Sequence, residues 1–254
     1  MRLVRMLGWA CACGACLSAA FAGGPPYTTD DPVPVDYRHW ELYLASQHAH
    51  GRFGQTGTAP HVEVNYGLAP DVQLHVIAPF SYAKFRTRTI RYGLGDVEIG
   101  AKYRFVQETE GRPQIGVFPH VELPTGSSPR GLGGGRAQIF LPVWLQKSWG
   151  SWTTYGGGGY TFNPGPGRLN YWTVGWEVQR DLSKAVTLGA EIFASTPSAA
   201  GERSRTSFNL GTVLTLGPRQ FILFSAGRDI RGPSDLTLYV AYQMVLGPRE
   251  NKGR

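Results

Sequence analysis

Histidine and glutamate recur at a His-x-Glu spacing in this sequence. The spacing occurs as His39/Glu41, His61/Glu63 and His120/Glu122. Because alternate residues of an extended strand point to the same side, each pair presents an imidazole and a carboxylate together. Imidazole and carboxylate groups form ion pairs, transfer protons and bind metals. The spacing therefore allows a stiffening polar network, a solute path, or a metal or acid/base site.

Further charged residues continue the same alternation, and we expect them to share one polar lining with the three pairs. They are His75, Glu98, Lys102, Arg104, Glu177 and Glu191. A hairpin around Leu68–Pro70 would place Glu63 opposite His75. A second hairpin around residues 107–111 would bring Glu98 near His120.

The sequence lacks the motifs of common catalytic sites. It contains no G-x-S-x-G, no G-x-x-x-x-G-K-[ST] and no H-E-x-x-H. Its three cysteines, Cys11, Cys13 and Cys16, all lie within the first 22 residues. We therefore expect no enzyme activity, no cofactor and no metal site.

The first 22 residues predict a cleavable signal peptide. Arg2 and Arg5 precede the apolar stretch Met6–Phe21, and Ala20-Phe21-Ala22 supplies small residues for cleavage. The stretch is shorter than the roughly twenty residues that a spanning helix needs. The mature protein should therefore be exported.

The elements that must position the polar residues are long strands of alternating character. In residues 95–105, Val97 and Ile99 lie on one face, while Glu98 and Lys102 lie on the other. Candidate strands fall near 36–49, 58–67, 71–82, 95–105, 113–123, 136–149, 151–163, 170–180, 184–195, 205–217, 220–229 and 235–246. Most exceed the length of globular strands and match the roughly nine to eleven residues of a transmembrane strand.

The connections alternate between tight turns and longer loops rich in glycine, proline, serine and arginine. Longer loops are expected near 50–57, 83–94, 124–135, 164–169, 196–204 and 230–234. Aromatic residues on the apolar faces predict two belts, with Tyr66, Tyr103, Phe105, Trp152 and Phe221 beside the turns and Phe80, Tyr160, Phe162, Trp172 and Phe208 beside the loops. The sequence therefore predicts an all-β, antiparallel, up-and-down transmembrane β-barrel of about twelve strands in the outer membrane.

The longer loops carry most of the arginines expected at one end of this barrel. These are Arg86, Arg88, Arg91, Arg130, Arg136, Arg168, Arg203 and Arg205. Such a basic rim could pair with the phosphates of lipopolysaccharide, or it could be a solvated surface. Besides membrane lipid, the partner we expect is a small solute of unknown identity. Nucleic acid is not expected, because an exported barrel would not meet it.

The predicted organisation has four parts. Residues 1–22 form the signal peptide and residues 36–247 the barrel, with a short tail at 248–254. The intervening residues 23–35 are rich in proline and include Asp30 and Asp31. We expect them to form either a periplasmic tail or a partial plug of the barrel.

Six stretches of the chain resemble a family of outer-membrane transporters labelled as belonging to a meta-cleavage pathway of phenol degradation. They are Tyr27-Thr28-Thr29-Asp30-Asp31-Pro32, Trp40-Glu41-Leu42, Val64-Asn65-Tyr66-Gly67-Leu68, Gly93–Phe105, Leu123-Pro124-Thr125-Gly126 and Gly189-Ala190-Glu191. The resemblance implies an outer-membrane barrel that takes up aromatic or other apolar compounds, and it carries over no binding residues. The residues after the last strand, 247–254, depart from the usual barrel ending.

A soluble periplasmic β-sandwich is the main structural alternative, and two other functions would fit a barrel. One is a non-transporting barrel that serves as a structural wall or a surface-interaction platform. The other is an enzyme with its site in the lumen. Our hypothesis is a channel whose narrow, polar lumen conducts or binds a small solute, while the polar lining itself is more readily explained as a network that stiffens the wall.

Overall fold

The computed structural model describes residues 25–51, 54–85, 89–233 and 235–248, and these residues are mostly β-strand. The strands are β1 Trp40–Gly51, β2 Gly54–Ala69, β3 Val72–Phe85, β4 Arg91–Leu94, β5 Val97–Val106, β6 Gln114–Val117, β7 His120–Leu123, β8 Gln138–Trp149, β9 Trp152–Phe162, β10 Tyr171–Asp181, β11 Val186–Ser195, β12 Arg205–Gly217, β13 Gln220–Arg231 and β14 Leu236–Leu246. A 3-10 turn, Ser128–Arg130, lies between β7 and β8.

Two pairs of short strands each form one strand of the wall. Both β4 and β5 pair with β3 and are separated by Gly95 and Asp96. Both β6 and β7 pair with β5 and β8, and the ladder between them is interrupted at Phe118 and Pro119. Proline has no backbone N–H to donate, which accounts for the second interruption. The wall therefore consists of twelve strands.

The sheet closes on itself. Strand β1 pairs antiparallel with β14 from Trp40↔Leu246 to His50↔Leu236. All the other pairings between the strands of the described residues are antiparallel too. The closed, up-and-down antiparallel barrel predicted from the alternation is confirmed.

Apolar side chains cover the outside of the barrel, and polar ones are buried inside it. Trp172, Leu210 and Val174 are 58–60% exposed, whereas Lys102 and Glu177 are at most 1% exposed. A water-soluble fold has the opposite arrangement, so the outer surface is suited to lipid. Within the described ranges, no helix is long and apolar enough to cross a membrane.

One aromatic residue was assigned to the wrong face. Phe221 was expected on the lipid side, but it is 4% exposed and packs inside with Tyr43, Leu223 and Ala241. The alternation of β13 places Phe221 and Leu223 inward and Phe224 outward. Of the other predicted belt residues, Tyr103, Phe105 and Trp152 are exposed near the short turns, and Phe80, Phe162 and Trp172 near the longer loops.

The first hairpin is longer than the sequence suggested. Residues 50–57 were expected to form a loop, yet the ladder between β1 and β2 continues to Gly51↔Gly54. The His50 and Gln55 side chains are hydrogen-bonded at 2.9 Å across this extension. Strand β1 also begins at Trp40 rather than at residue 36, because Arg38 adopts a left-handed φ of 63° in a turn closed by His39 N–H donating to Asp36 O.

The predicted signal peptide and the end of the predicted tail, residues 249–254, lie outside the described residues. Residues 25–36, which we call the N-terminal segment, precede β1 and lie inside the barrel. Thr29, Asp31 and Val35 on this segment are 1–4% exposed. The segment joins β1 at the end of the barrel that carries the short turns, which we call the short-turn end. The opposite end is the long-loop end.

Candidate functional site

The N-terminal segment crosses the lumen between opposite parts of the wall. On one side, Lys102 Nζ on β5 donates to Asp30 Oδ1 at 2.9 Å and to Asp31 Oδ1 at 3.3 Å. On the other side, the backbone N–H groups of Thr28 and Thr29 each donate to the Glu191 carboxylate on β11 at 2.8 Å. Charge-assisted hydrogen bonds therefore hold the segment at both sides.

Tyr27 lies over the glycines of two neighbouring strands. A Cβ added to Gly211 on β12 would lie 2.7–2.8 Å from three atoms of the Tyr27 side chain, and one added to Gly189 on β11 would lie 2.4 Å from its hydroxyl. The glycines thus leave the space that the ring occupies. Burial, with the nearby Glu177 and Glu191 carboxylates, raises the pKa of Tyr27 above its usual value.

His75 is the centre of a hydrogen-bonded network in the lumen. Its Nδ1 lies 2.6 Å from Asn65 Oδ1, and its Nε2 lies 3.1 Å from Glu98 Oε1. Glu63 was expected opposite His75, but Asn65 holds that position, and Glu63 Oε1 lies diagonally at 3.7 Å from His75 Nδ1. The difference arises because the turn lies at Pro70–Asp71, closed by Ala69↔Val72, and is not centred on Ala69 as the prediction assumed.

His120 extends this network to the next wall strand. Its Nε2 lies 3.7 Å from Glu98 Oε2, as the predicted hairpin required. Glu122 pairs in register with Glu98, and its Oε2 accepts a hydrogen bond from Gln138 Nε2 at 2.8 Å. Two carboxylates therefore face the same part of the lumen.

The remaining lining candidates differ in their surroundings. Glu41 accepts a hydrogen bond from the Tyr43 hydroxyl at 3.0 Å, and the His61 ring lies 2.6 Å from the Thr58 hydroxyl. Arg104 is ion-paired with Asp71, 2.7 Å away, near the short-turn end. Apart from His39, all the lining candidates lie on wall strands.

His39 does not line the lumen. It precedes β1, and its ring nitrogens lie 3.1 Å from Tyr37 O and 3.3 Å from Pro248 O. The left-handed turn at Arg38 takes His39 out of the alternation that Glu41 and Tyr43 follow. Its position is instead beside the chain that leaves β14.

Glu177 is fully buried on β10 and lies directly opposite Glu191 in the ladder. Neither of its carboxylate oxygens has a hydrogen-bond partner among the described residues. The Thr29 hydroxyl of the N-terminal segment is also without one in the described part of the chain. In the same ranges, no group of three or more His, Cys, Asp or Glu residues could hold a metal ion.

Two cavities in the described part of the lumen are bounded by the N-terminal segment. The larger one, of about 410 Å³, is lined by Tyr27 and Asp30 of the segment and by His61, His75, Glu98 and Tyr239 of the wall. The smaller one, of about 250 Å³, lies against β8, β9 and β10 and shares Thr28, Glu98, His120 and Glu122 with the larger. A polar solute could thus be held beside the segment.

The sequence did not single out Asp96 as a site residue. Asp96 is 7% exposed, and its carboxylate accepts hydrogen bonds from the backbone N–H groups of Gly126, at 2.8 Å, and of Gly134. It therefore ties the loop between β7 and β8 to the wall. In the sequence, Asp96 lies between Gly95 and the start of a strand. Bulges, which redirect a side chain, often occur at such positions, so this position could have marked Asp96 as a site residue.

The long-loop end is less uniformly basic than expected. Arg205 is paired with Asp229 at 2.6 Å and lies 3.8 Å from Asp235, while Arg168 donates to Asn163 Oδ1 at 2.9 Å. Arg130 donates to Tyr92 O at 2.9 Å. Of the other rim candidates, Arg136 and Arg203 are exposed and Arg91 is half-buried, while Arg86 and Arg88 lie outside the described residues.

The closed barrel with an apolar exterior and a polar interior defines an outer-membrane β-barrel protein. The sequence model of the family described as "Putative MetA-pathway of phenol degradation" matches residues 46–236. The chain belongs to this family, as the resemblance of its motifs implied. No curated protein matches the chain.

Several solved outer-membrane barrels have a similar fold. The COG4313 outer membrane channel from Pseudomonas putida F1 is 13% identical, with a TM-score of 0.70 over 85% of this chain and 98% of that one. The KdgM porin in complex with disordered oligogalacturonate is 11% identical, with a TM-score of 0.57 over 80% and 98%. The translocator domain of the autotransporter NalP from Neisseria meningitidis is 11% identical, with a TM-score of 0.56 over 83% and 90%. At these identities the likeness concerns the fold.

Proposed function

We propose that this protein is a channel that carries small solutes across the outer membrane, and that its N-terminal segment is a partial plug. The observation that carries the proposal is the lumen itself. Its polar cavity of about 410 Å³ is bounded on one side by a segment held by polar contacts. A purely structural barrel needs neither the cavity nor the segment.

The lining carries more acidic than basic groups. Asp30, Glu63, Asp96, Glu98 and Glu122 line the larger cavity, and Lys102 is its one lysine or arginine among the described residues. Lys102 is already paired with Asp30 and Asp31. Like charges repel, so the channel should prefer cations and neutral solutes to anions.

Planar-bilayer recording of the purified full-length protein tests the proposal. We expect discrete conductance steps, and a reversal potential across a KCl gradient that indicates a preference for K⁺. Deletion of residues 25–34 should increase the conductance per step. A folded protein that gives no steps, with or without these residues, would instead be a structural barrel.

The contribution of the polar network to solute flux can be measured separately from its contribution to thermal stability. His75→Ala, Glu63→Ala and the double variant should each lower solute flux in proteoliposomes if the network lines the path. The thermal unfolding of each variant is measured alongside. A fall in stability with unchanged flux through the folded protein would assign the network to the wall alone. The same liposomes should show no turnover of lipid or ester, since we infer no enzyme activity.

We also infer that the exposed arginines of the long-loop end contact lipopolysaccharide. Arg136 and Arg203 are exposed, and guanidinium groups bind phosphate through paired hydrogen bonds. Arg136→Ala/Arg203→Ala should reduce the lipopolysaccharide that copurifies with the protein. Arg180→Ala, which removes a guanidinium beside Trp152 near the short-turn end, is the matched control. Equal amounts in both variants would contradict the contact.

A further inference from the structure

Three titratable side chains of the wall line both lumenal cavities. They are Glu98 on β5 and His120 and Glu122 on β7. All three keep accessible surface, since the side chain of Glu98 is 26% exposed and that of His120 is 21% exposed, while Glu122 is half-buried. A solute in either cavity would therefore contact them.

The two carboxylates lie at directly opposite positions of the β5–β7 ladder. Like charges at such positions repel each other and destabilise the sheet. One oxygen of Glu98 lies 3.1 Å from His75 Nε2, and its other oxygen has His120 Nε2 at 3.7 Å. One oxygen of Glu122 accepts from Gln138, and the other makes no hydrogen bond within the described ranges. A cation between the two carboxylates would offset their repulsion.

Basic side chains do not occupy the smaller cavity. No lysine or arginine of the described residues lines it. Lys102, which lines the larger cavity, is paired with two aspartates of the N-terminal segment. Arg168 in the long loops donates to Asn163 Oδ1 and to Gly134 O. A cation held between the carboxylates would therefore meet no lysine or arginine inside this cavity.

Aromatic rings form another wall of the smaller cavity. Phe140 on β8 and Tyr171 on β10 line it, and both are half-buried. The Phe140 ring centroid lies 5.1 Å from that of His120, which places this ring beside the charged wall. Aromatic faces attract a cation within about 6 Å of the ring centroid. A cation that carries alkyl groups would also bury apolar surface against the rings, which a hydrated metal ion cannot do.

The volume of the smaller cavity limits the size of such an ion. The cavity measures about 250 Å³. A cavity of about 150 Å³ is enough to hold benzene. An ammonium ion with a few short alkyl groups would therefore fit, whereas a long or branched amine would collide with Thr28 of the N-terminal segment.

We propose that the smaller cavity binds small organic ammonium ions as they pass through the channel. The ammonium group lies between Glu98 and Glu122, and its alkyl groups lie against Phe140 and Tyr171. The inference rests on the proposed channel function and adds the class of solute and the residues that select it. Neutral molecules of the same shape should bind more weakly, and carboxylates should be excluded.

Choline and its uncharged isostere 3,3-dimethyl-1-butanol test the role of the ligand's charge. Proton NMR titration of their methyl signals with the purified full-length protein, in an uncharged maltoside detergent, gives both affinities. We expect choline to bind roughly tenfold more tightly or better, because only choline pairs with the carboxylates. The anion 3,3-dimethylbutanoate should not bind. An equal concentration of KCl should leave choline bound, because K⁺ gains no apolar contact with the rings.

The variant Glu122→Gln keeps the shape of the side chain and removes its charge. It should weaken choline about tenfold and leave the alcohol unchanged. Glu108→Gln is the matched control and should change neither, because Glu108 lies near the short-turn end and lines neither cavity. Phe140→Leu should weaken choline about threefold, the effect of one cation–π contact, and the alcohol less. The shift in gel mobility on boiling verifies that each variant is folded.

Four results would overturn the inference. They are equally tight binding of choline and the alcohol, equal losses of choline binding in Glu122→Gln and Glu108→Gln, and complete displacement of choline by an equal concentration of KCl. The fourth is no choline binding to a protein that conducts ions in bilayers, in which case the proposed channel stands without this site. A folded protein that binds choline but does not conduct would refute the proposed function, and with it the place of this site in a solute path.

Discussion

At the residue scale, the contact between Lys102 and the N-terminal segment is the most consequential. The lysine is 1% exposed, and its partners Asp30 and Asp31 come from a part of the chain about seventy positions away. Burying an ammonium group is costly unless it is paired with carboxylates. The ion pairs of Lys102 with the two aspartates therefore fix the N-terminal segment to β5 more than they stabilise the wall.

Replacing Lys102 with Met should release the segment. If the segment stayed seated, its two aspartates would be buried without their cation, and losing one partner of a buried pair costs about 3 kcal/mol or more. That corresponds to about a hundredfold shift from the seated to the released segment. Bilayer conductance should rise toward that of the protein lacking residues 25–34.

Lys147→Met is the control for this change. Lys147 pairs with Glu108 at 3.2 Å in a partly exposed position near the short-turn end. Its loss should leave the conductance unchanged. Equal conductance of both variants and of the unmodified protein would mean that Lys102 does not hold the segment.

The residues that line the lumen could be predicted, but their partners could not. The alternation of residues 95–105 placed Glu98 and Lys102 on one face, and both are on the inner face of β5. Asn65 was missed as the neighbour of His75, because the turn lies about one residue further along the chain than predicted, and the resulting two-residue displacement of the pairing keeps every side chain on the same face and leaves the polar–apolar pattern unchanged. The partners of Lys102 were missed because no local pattern connects β5 with residues 30 and 31.

At the element scale, Asp96 holds the loop between β7 and β8 on the wall. The loop's Gly126 and Gly134 N–H groups both donate to its carboxylate. Asp96→Ala would remove two charge-assisted hydrogen bonds, each contributing about 1.5–3 kcal/mol. Trypsin should then cleave at Arg130 at least tenfold faster in proteoliposomes.

Asp181→Ala tests whether the faster cleavage at Arg130 is specific to the loss of Asp96. Asp181 ends β10 and accepts from the Thr187 hydroxyl at 2.6 Å near the short-turn end. Trypsin should cut this variant at Arg130 no faster than the unmodified protein. Faster cleavage in both variants would indicate general loosening rather than release of the loop.

Two glycines of β12 differ in how close they lie to the N-terminal segment, and they test what holds Tyr27 in place. A Cβ at Gly211 would lie 2.7 Å from Tyr27 ring atoms, whereas a Cβ at Gly217 would meet nothing within 4 Å. Gly211→Ala should therefore displace Tyr27 and raise conductance, and Gly217→Ala should not. If the two variants conduct alike, Tyr27 does not help to seat the segment.

The number of wall strands was predictable, while several of their ends were not. Alternation and length identify strands such as β8 and β10 because each has one lipid-facing side. The glycine-rich residues 50–57 looked like a loop, yet their backbone continues the ladder to Gly51↔Gly54. Backbone hydrogen bonds need no particular side chain, so composition alone could not reveal this extension.

At the scale of the whole molecule, the hydrogen-bonded ring of strands should survive detergent. Each of the twelve wall strands pairs with a neighbour on both sides, and only the short β4 part of one of them is paired on a single side among the described residues. We expect unheated protein to migrate faster than boiled protein on a detergent gel, and to fractionate with outer membranes. Identical mobility together with release from membranes by salt alone would contradict a membrane barrel.

The seam between the first and last wall strands also imposes an order on biogenesis. Tyr43 and Gln243, hydrogen-bonded across the seam, are 200 positions apart, so this pairing closes the longest loop of the chain and is the slowest to nucleate. The N-terminal segment is continuous with β1, and its anchors Glu191 and Ser225 lie on strands that can associate before the seam forms. Pairing of β1 with β14 therefore also brings the N-terminal segment to its anchors, so closure of the barrel and seating of the segment occur together.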